Sequence, residues 1–183
     1  MKKTRFTTIL LLITLMVWSQ SKTPKIVIAA SKGKLSEVKT LIKKGHDINA
    51  KSRTQWSALA YAVNKNNYKL TELLLENKAN PNIRINTKET VLLMAAKYNY
   101  NPIAFLLIRY NADIEAKDII EFRAIHWAAK NNNKDLILKL LEAGANINAK
   151  NVQGRTALDM ADPKIKDFLR LKGAKTGREL INI

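Results

Sequence analysis

The chain contains no cysteine. Disulfides, thiolate nucleophiles, thiolate metal sites and lipid attachment through an N-terminal cysteine are therefore excluded. Histidine is scarce: His46 and His126 are the only two, and they are not paired at a zinc-binding spacing. Every serine lies at or before Ser57, and none sits in the glycine-flanked elbow of a serine hydrolase. No glycine-rich phosphate loop occurs. The nearest carboxylate pairs, Asp113/Glu115 and Asp159/Asp162, fall on turn and cap segments, where nothing suggests a cleft for acid–base work. The expectation is a protein that is not an enzyme and carries neither cofactor nor metal.

Acidic residues are also few. Lys and Arg number 32 against 15 Asp and Glu, giving a formal net charge of +17. Such an excess favours an anionic partner, whether an acidic protein surface, nucleic acid or an anionic membrane face. Because the lysines are spread along the chain, simple solvation of the surface explains many of them. The apolar fraction of 46% and charged fraction of 26% are those of a folded soluble domain. A length of 183 residues suits one such domain.

Long apolar runs are missing as well, apart from Ile9 to Trp18, broken by Thr14. This run is roughly half the ~20 residues a spanning helix needs. Lys2, Lys3 and Arg5 precede it, and Ser19, Gln20 and Ser21 follow. Residues 1–21 thus read as a secretory signal peptide, cut after Ser19 or Ser21. A retained anchor and an apolar cap helix are the alternatives. Loss of the leader would lower the charge from +17 to +14. A periplasmic or secreted location is expected, with no stable membrane insertion once the leader is gone. The Lys- and Asn-rich composition suggests a bacterial source.

The rest of the chain is organised by a 33-residue period: Ala29, Ala62, Ala95, Ala128 and Ala161. Twelve residues after the first four alanines comes an apolar pair, such as Leu74-Leu75 or Leu140-Leu141. A helix-stop pair follows, from Gly45-His46 to Gly144-Ala145, and then an extended stretch ending at Lys51, Arg84, Lys117 or Lys150. Gly33, Asn66, Asn99 and Asn132 mark an inner turn, being the residue types that enter the left-handed region most cheaply. Each period reads helix, turn, helix, loop. One helix pair has too little apolar surface to fold alone, so the repeats must stack.

The motifs GRTALDMA (154–161), AIHWAAKNN (124–132) and LLEAGANINAK (140–150) resemble the ankyrin repeat, over about residues 24–175. The resemblance implies an all-α solenoid of about five stacked helix-turn-helix repeats, near 24–51, 52–84, 85–117, 118–150 and 151–175, with short hairpin loops. Residues 176–183 read as a C-terminal tail. There are departures from the family pattern. Gln55, Lys88 and Glu121 stand where a hairpin glycine is usual, and only Gly154 keeps it. A non-glycine at positive φ costs ~1 kcal/mol, so those three tips are expected to deviate in shape. His126, at the family's histidine position, is expected to bond neighbouring backbone. Tyr61, Met94, Trp127 and Met160 stand at usual leucine positions and read as core.

The resemblance further implies a binding scaffold whose partner, a protein with an acidic surface, docks on a concave face of hairpin tips and inner helices. Lys51, Arg84, Lys117 and Lys150 form a basic ladder there, with Arg155 beside it. Neighbouring rungs ~10 Å apart would repel by only about 0.4 kcal/mol in water. Reversing the four charges is expected to weaken binding and leave the melting temperature nearly unchanged. Lys32, Lys65, Lys97 and Lys130 line the inner-turn side. Trp56, Tyr98, Ile119, Ile120 and Phe122 are the candidate apolar anchors. Trp56 and Phe122 could instead fold back over their own hairpins. Service to an envelope complex is the favoured context, with a secreted effector acting on host proteins as the alternative. Binding of an anionic polymer is a further alternative; export argues against nucleic acid. A monomer is expected.

Overall fold

The computed structural model describes residues 23–181. The signal-peptide reading of residues 1–21 lies outside them. Four complete helix pairs follow one another: α1 (Lys25–Ser31) with α2 (Leu35–Lys43), α3 (Ala58–Asn64) with α4 (Tyr68–Glu76), α5 (Val91–Lys97) with α6 (Asn101–Arg109), and α7 (Ala124–Lys130) with α8 (Lys134–Glu142). The fifth unit is shortened, to α9 (Ala157–Met160), a 3-10 turn at Pro163–Ile165, and α10 (Lys166–Leu171). Asp162-Pro163 stops α9, and the Asp162 side chain caps the 3-10 turn by accepting from Lys164 N.

The short helices α1, α3, α5, α7 and α9 pack side by side in one row, and α2, α4, α6 and α8 form a second row behind them. The periodic alanines make the first row possible. Ala29, Ala62, Ala95 and Ala128 are fully buried, and Ala161 nearly so, because a methyl group lets neighbouring backbones approach closely. Larger side chains fill the space between the rows, among them Leu70, Leu74, Ile103, Leu107, Leu136 and Ile137. This is the all-α repeat solenoid expected from the period. Among the described residues no helix is long and apolar enough to cross a membrane.

The turns behave as their residue types dictate. Gly33, Asn66, Asn99 and Asn132 all take positive φ between the helices of a pair. Gly45, Lys78, Asn111 and Gly144 do so after the second helix, where the next backbone N–H bonds back into the last turn, as in Ala79 N to Leu74 O at 2.9 Å. Pro102 lies in the first turn of α6, where its missing N–H costs nothing.

The hairpin tips correct one expectation. Gln55, Lys88 and Glu121 adopt φ of 64°, 61° and 58°, close to the 71° of Gly154. The same turn closes all four tips, with Gln55 N bonded to Ser52 O at 2.9 Å and Gly154 N to Asn151 O at 2.9 Å. These side chains point outward at the tips, so the turn tolerates the strained backbone and keeps its shape.

A second set of bonds joins successive repeats. Asn49, Asn82, Glu115 and Asn148 stand 33 residues apart, and each accepts from a backbone N–H of the next repeat. The acceptances run from Asn80 at 2.8 Å, Asp113 at 2.7 Å, Asn146 at 2.9 Å and Lys175 at 2.7 Å. Residues 176–181, set apart as a tail by the sequence, lie against the fifth repeat. Gly177 N donates to Asp159 Oδ2 at 2.7 Å, and Thr156 Oγ1 donates to Lys175 O at 2.7 Å.

Candidate partner-binding face

The basic ladder lies at the bases of the hairpins, and much of it is occupied by the fold. Lys51 Nζ donates to Arg84 O at 2.9 Å. Arg84 Nη1 donates to Lys88 O at 2.6 Å and to Lys117 O at 2.8 Å. Lys117 pairs with Glu121 at 3.2 Å. The Lys150 carbonyl accepts from Arg123 Nη1 at 3.1 Å, and Arg123 Nε in turn meets Glu115 at 2.8 Å. Lys51, Arg84 and Lys117 are thus engaged within the fold. Carbonyl oxygens of the next tip attract the Lys51 and Arg84 side chains, so charge reversal there also removes structural ties.

The aromatic candidates divide. Phe122 was offered as an exposed anchor, and that is corrected: it is 5% exposed. Its ring stacks on His126 at 5.5 Å and meets Trp127 at 5.1 Å, covering the start of α7. Trp56 is half-buried against Tyr61 at 5.0 Å, within its own repeat. Both residues fold back, Phe122 completely. Tyr98 remains 48% exposed beside Tyr100, with the Lys97 ammonium 5.6 Å from its ring.

His126 is buried and bonded as the resemblance implied. Its Nδ1 accepts from Arg123 N at 3.1 Å, and its Nε2 meets Ala149 O at 3.0 Å, so the proton belongs on Nε2. The ring thereby caps α7, whose preceding residue, Arg123, has no side-chain acceptor; Ser57 and Thr90 cap α3 and α5 through their own oxygens. Burial holds the imidazole below its ordinary value, against the pull of the Ala149 carbonyl. For Asp159, burial pushes the carboxyl up. Bonds from Thr156 N, Gly177 N and Thr156 Oγ1 outweigh this and hold it lower than usual. The carboxylates of Asp113 and Glu115 accept from loop backbone, which gives both a structural role.

Ile119 and Ile120 do stand out at the third tip, 67% and 43% exposed. Val152, 59% exposed, joins them from the fourth tip, where its N–H reaches Ile120 O at 3.4 Å. The sequence contained the signal for Val152, which lies one period after Ile119. Below these tips is a cleft of about 290 Å³ whose lining includes Lys97, Ile119, Ile120 and Trp127. Trp127, read as core, is half-buried and packs against the core, with Lys97 Nζ at 5.4 Å and Lys130 Nζ at 5.3 Å from its ring. Met94 is core, while Tyr61 and Met160 are half-buried. Arg155 is exposed at the far end, in a groove shared with the C-terminal segment. The structure thus gathers Ile119 and Ile120 with Trp127, and leaves Trp56 and Arg155 outside that cleft.

A search of curated proteins returned no significant match. A family model described as ankyrin repeats (3 copies) matches residues 26–118 and again 92–171. Those spans cover the row of paired helices with its buried alanines, and with both in agreement the chain belongs to the ankyrin-repeat family.

Proposed function

We propose that this chain is a non-enzymatic scaffold of the bacterial envelope that holds a partner protein against the concave side of its repeats. Ankyrin repeats generally mediate protein–protein interaction. The observation that carries the proposal is the cluster of Ile119, Ile120 and Val152 on adjacent tips. Apolar side chains exposed together at the rim of a cleft favour a protein surface. The basic balance of the chain favours an acidic partner. The N-terminal apolar run supports export to the periplasm, and a monomer leaves this face open.

Crosslinking in the native envelope, followed by mass spectrometry, tests the reading. A partner protein joined to residues of the hairpin tips or inner helices is the expected result. Crosslinks confined to α2, α4, α6 and α8 would place the interface on the opposite side.

The charge of +17 supports a second reading, in which an anionic polymer is the ligand. That reading requires affinity to fall steeply with added salt, whatever the polymer's sequence, with no protein recovered by crosslinking.

A further inference from the structure

The second row of helices carries an apolar strip that the stacking of repeats does not cover. At the phase of Lys39 in α2 and Glu72 in α4, α6 has Phe105 and α8 has Leu138. Phe105 and Ile108 are half-buried, while Tyr68 and Leu138 are 38% and 37% exposed. A groove of about 510 Å³, whose lining includes Tyr68, Pro102, Phe105 and Ile108, opens on this side.

Charge sets the same face apart from the rest of the chain. Four basic and four acidic residues lie on α4, α6 and α8, so these helices are neutral together in a chain of net charge +17. A strongly positive chain repels its own copies, and does so least where its charges cancel.

The order of those charges is self-complementary. On α4, Lys69 stands in the first turn and Glu76 in the last; both are exposed, and neither is paired among the described residues. Lys134 and Glu142 repeat the arrangement on α8. These placements oppose the dipoles of their own helices. Laid antiparallel on a second copy, α4 sets Lys69 against the other Glu76, and α8 sets Lys134 against the other Glu142. The parallel alternative, α4 over the other α8, brings like charges together. Phe105 and Leu138 are the midpoints of α6 and α8, so in the antiparallel arrangement each meets its own counterpart. Glu72, the midpoint of α4, accepts from the Tyr68 hydroxyl at 3.1 Å and lies 4.0 Å from Arg109, which tempers repulsion there.

We propose that the outer face of α4, α6 and α8 associates with the same face of a second copy, helices antiparallel, with the Phe105 and Leu138 strip at the centre. The pair presents its two concave sides back to back, and the proposal does not depend on the scaffold reading. Three nine-residue helices, each about 14 Å long and ~10 Å apart, make a face of ~400 Å². That is about half of what a standard interface buries per partner. The pair is therefore weak, and the single chain of the scaffold reading is its dilute form.

Sedimentation equilibrium of the full chain from about 5 μM to about 1 mM tests the proposal. The mean mass should rise towards that of two copies. Leu138→Lys alters an exposed side chain and should weaken association about 10-fold. Lys69→Glu and Glu76→Lys should each weaken it about 5-fold, since each reverses two contacts in a symmetric pair. The loss on Lys69→Glu runs against net charge, which that change lowers. An equimolar mixture of the two charge variants should recover the original affinity, because the reversed charges then face each other. Lys130→Glu makes the same charge change on the inner-turn side and should not weaken the pair.

A mean mass fixed at that of one copy up to about 1 mM would overturn the proposal. So would association unchanged by Leu138→Lys, or charge variants that stay weak when mixed. Association abolished by Ile119→Asp would place the contact at the hairpin tips and overturn it equally.

Discussion

Lys51 Nζ donates a 2.9 Å hydrogen bond to the carbonyl oxygen of Arg84, the residue one full period downstream. Arg84 repeats the relationship with Lys117 O at 2.8 Å. Lys51 and Arg84 therefore each fasten their own hairpin to the next one. Carbonyl oxygens at a tip have few backbone partners, and a long cationic side chain can reach them across the stack.

Loss of these ties should be measurable. Lys51→Met removes one exposed bond and should cost about 0.5 kcal/mol. Arg84→Glu removes two and sets a carboxylate against carbonyl oxygens, so a loss of ~1–2 kcal/mol is expected. Urea unfolding midpoints at matched salt check both values. An unshifted midpoint for Arg84→Glu would mean that these bonds are replaced by water at no cost.

The hairpin tips offer the opposite change. Gln55, Lys88 and Glu121 hold positive φ with a Cβ present. Glycine at each position should stabilise the protein, by a few tenths to ~1 kcal/mol, because relief of strain exceeds the added entropy of the unfolded chain. Glu121→Gly should give the least, since it also deletes the exposed pair with Lys117. Gly154→Ala should run the other way. Denaturation of the four single variants checks the ranking.

Gly177 is held for a different reason. A methyl group there would collide with the carbonyl oxygen of Gly154. Gly177→Ala should release the segment from its bond to Asp159, at a cost of about 1–3 kcal/mol. Amide hydrogen exchange should accelerate over residues 176–181 and remain slow in α5 and α7.

Stability should depend on pH through His126. The native ring is buried and neutral, with Nδ1 accepting from Arg123 N. Its depressed affinity for protons means that the unfolded chain binds the proton more tightly. The contribution is therefore complete above the ordinary imidazole value of ~6.5 and is lost as pH falls below it, by at most about 1.4 kcal/mol per unit. Urea titrations at about pH 7.5 and about pH 5.5 should show this loss, and His126→Asn should abolish most of it while lowering the starting stability.

Much of this architecture could be read directly from residue types. Alanines 33 residues apart could only be facing a close helix neighbour, and Asn66, Asn99 and Asn132 could only be serving a left-handed turn cheaply. Those are properties of a residue and its own backbone, repeated in phase, and no distant contact is needed to infer them. The backbone bonding of His126 was expected from the family resemblance alone, and its place as the acceptor for Arg123 N and partner of Ala149 O emerges from the structure.

The binding face was less legible, because the direction of a tip side chain depends on the adjacent repeats. Nothing in the order Ile119, Ile120, Glu121, Phe122 says which apolar residue turns inward. Phe122 does so because His126 and Trp127 present rings for it to pack against, while the two isoleucines stay largely exposed at the rim of the cleft. Likewise Lys51 and Arg84 look free as residue types and become fasteners once the next tip brings its carbonyl within reach. Period and turn chemistry, being local, settle the stack of helices. Which side chains the stack leaves open to a partner is settled between repeats, where packing across the interface selects one rotamer over another.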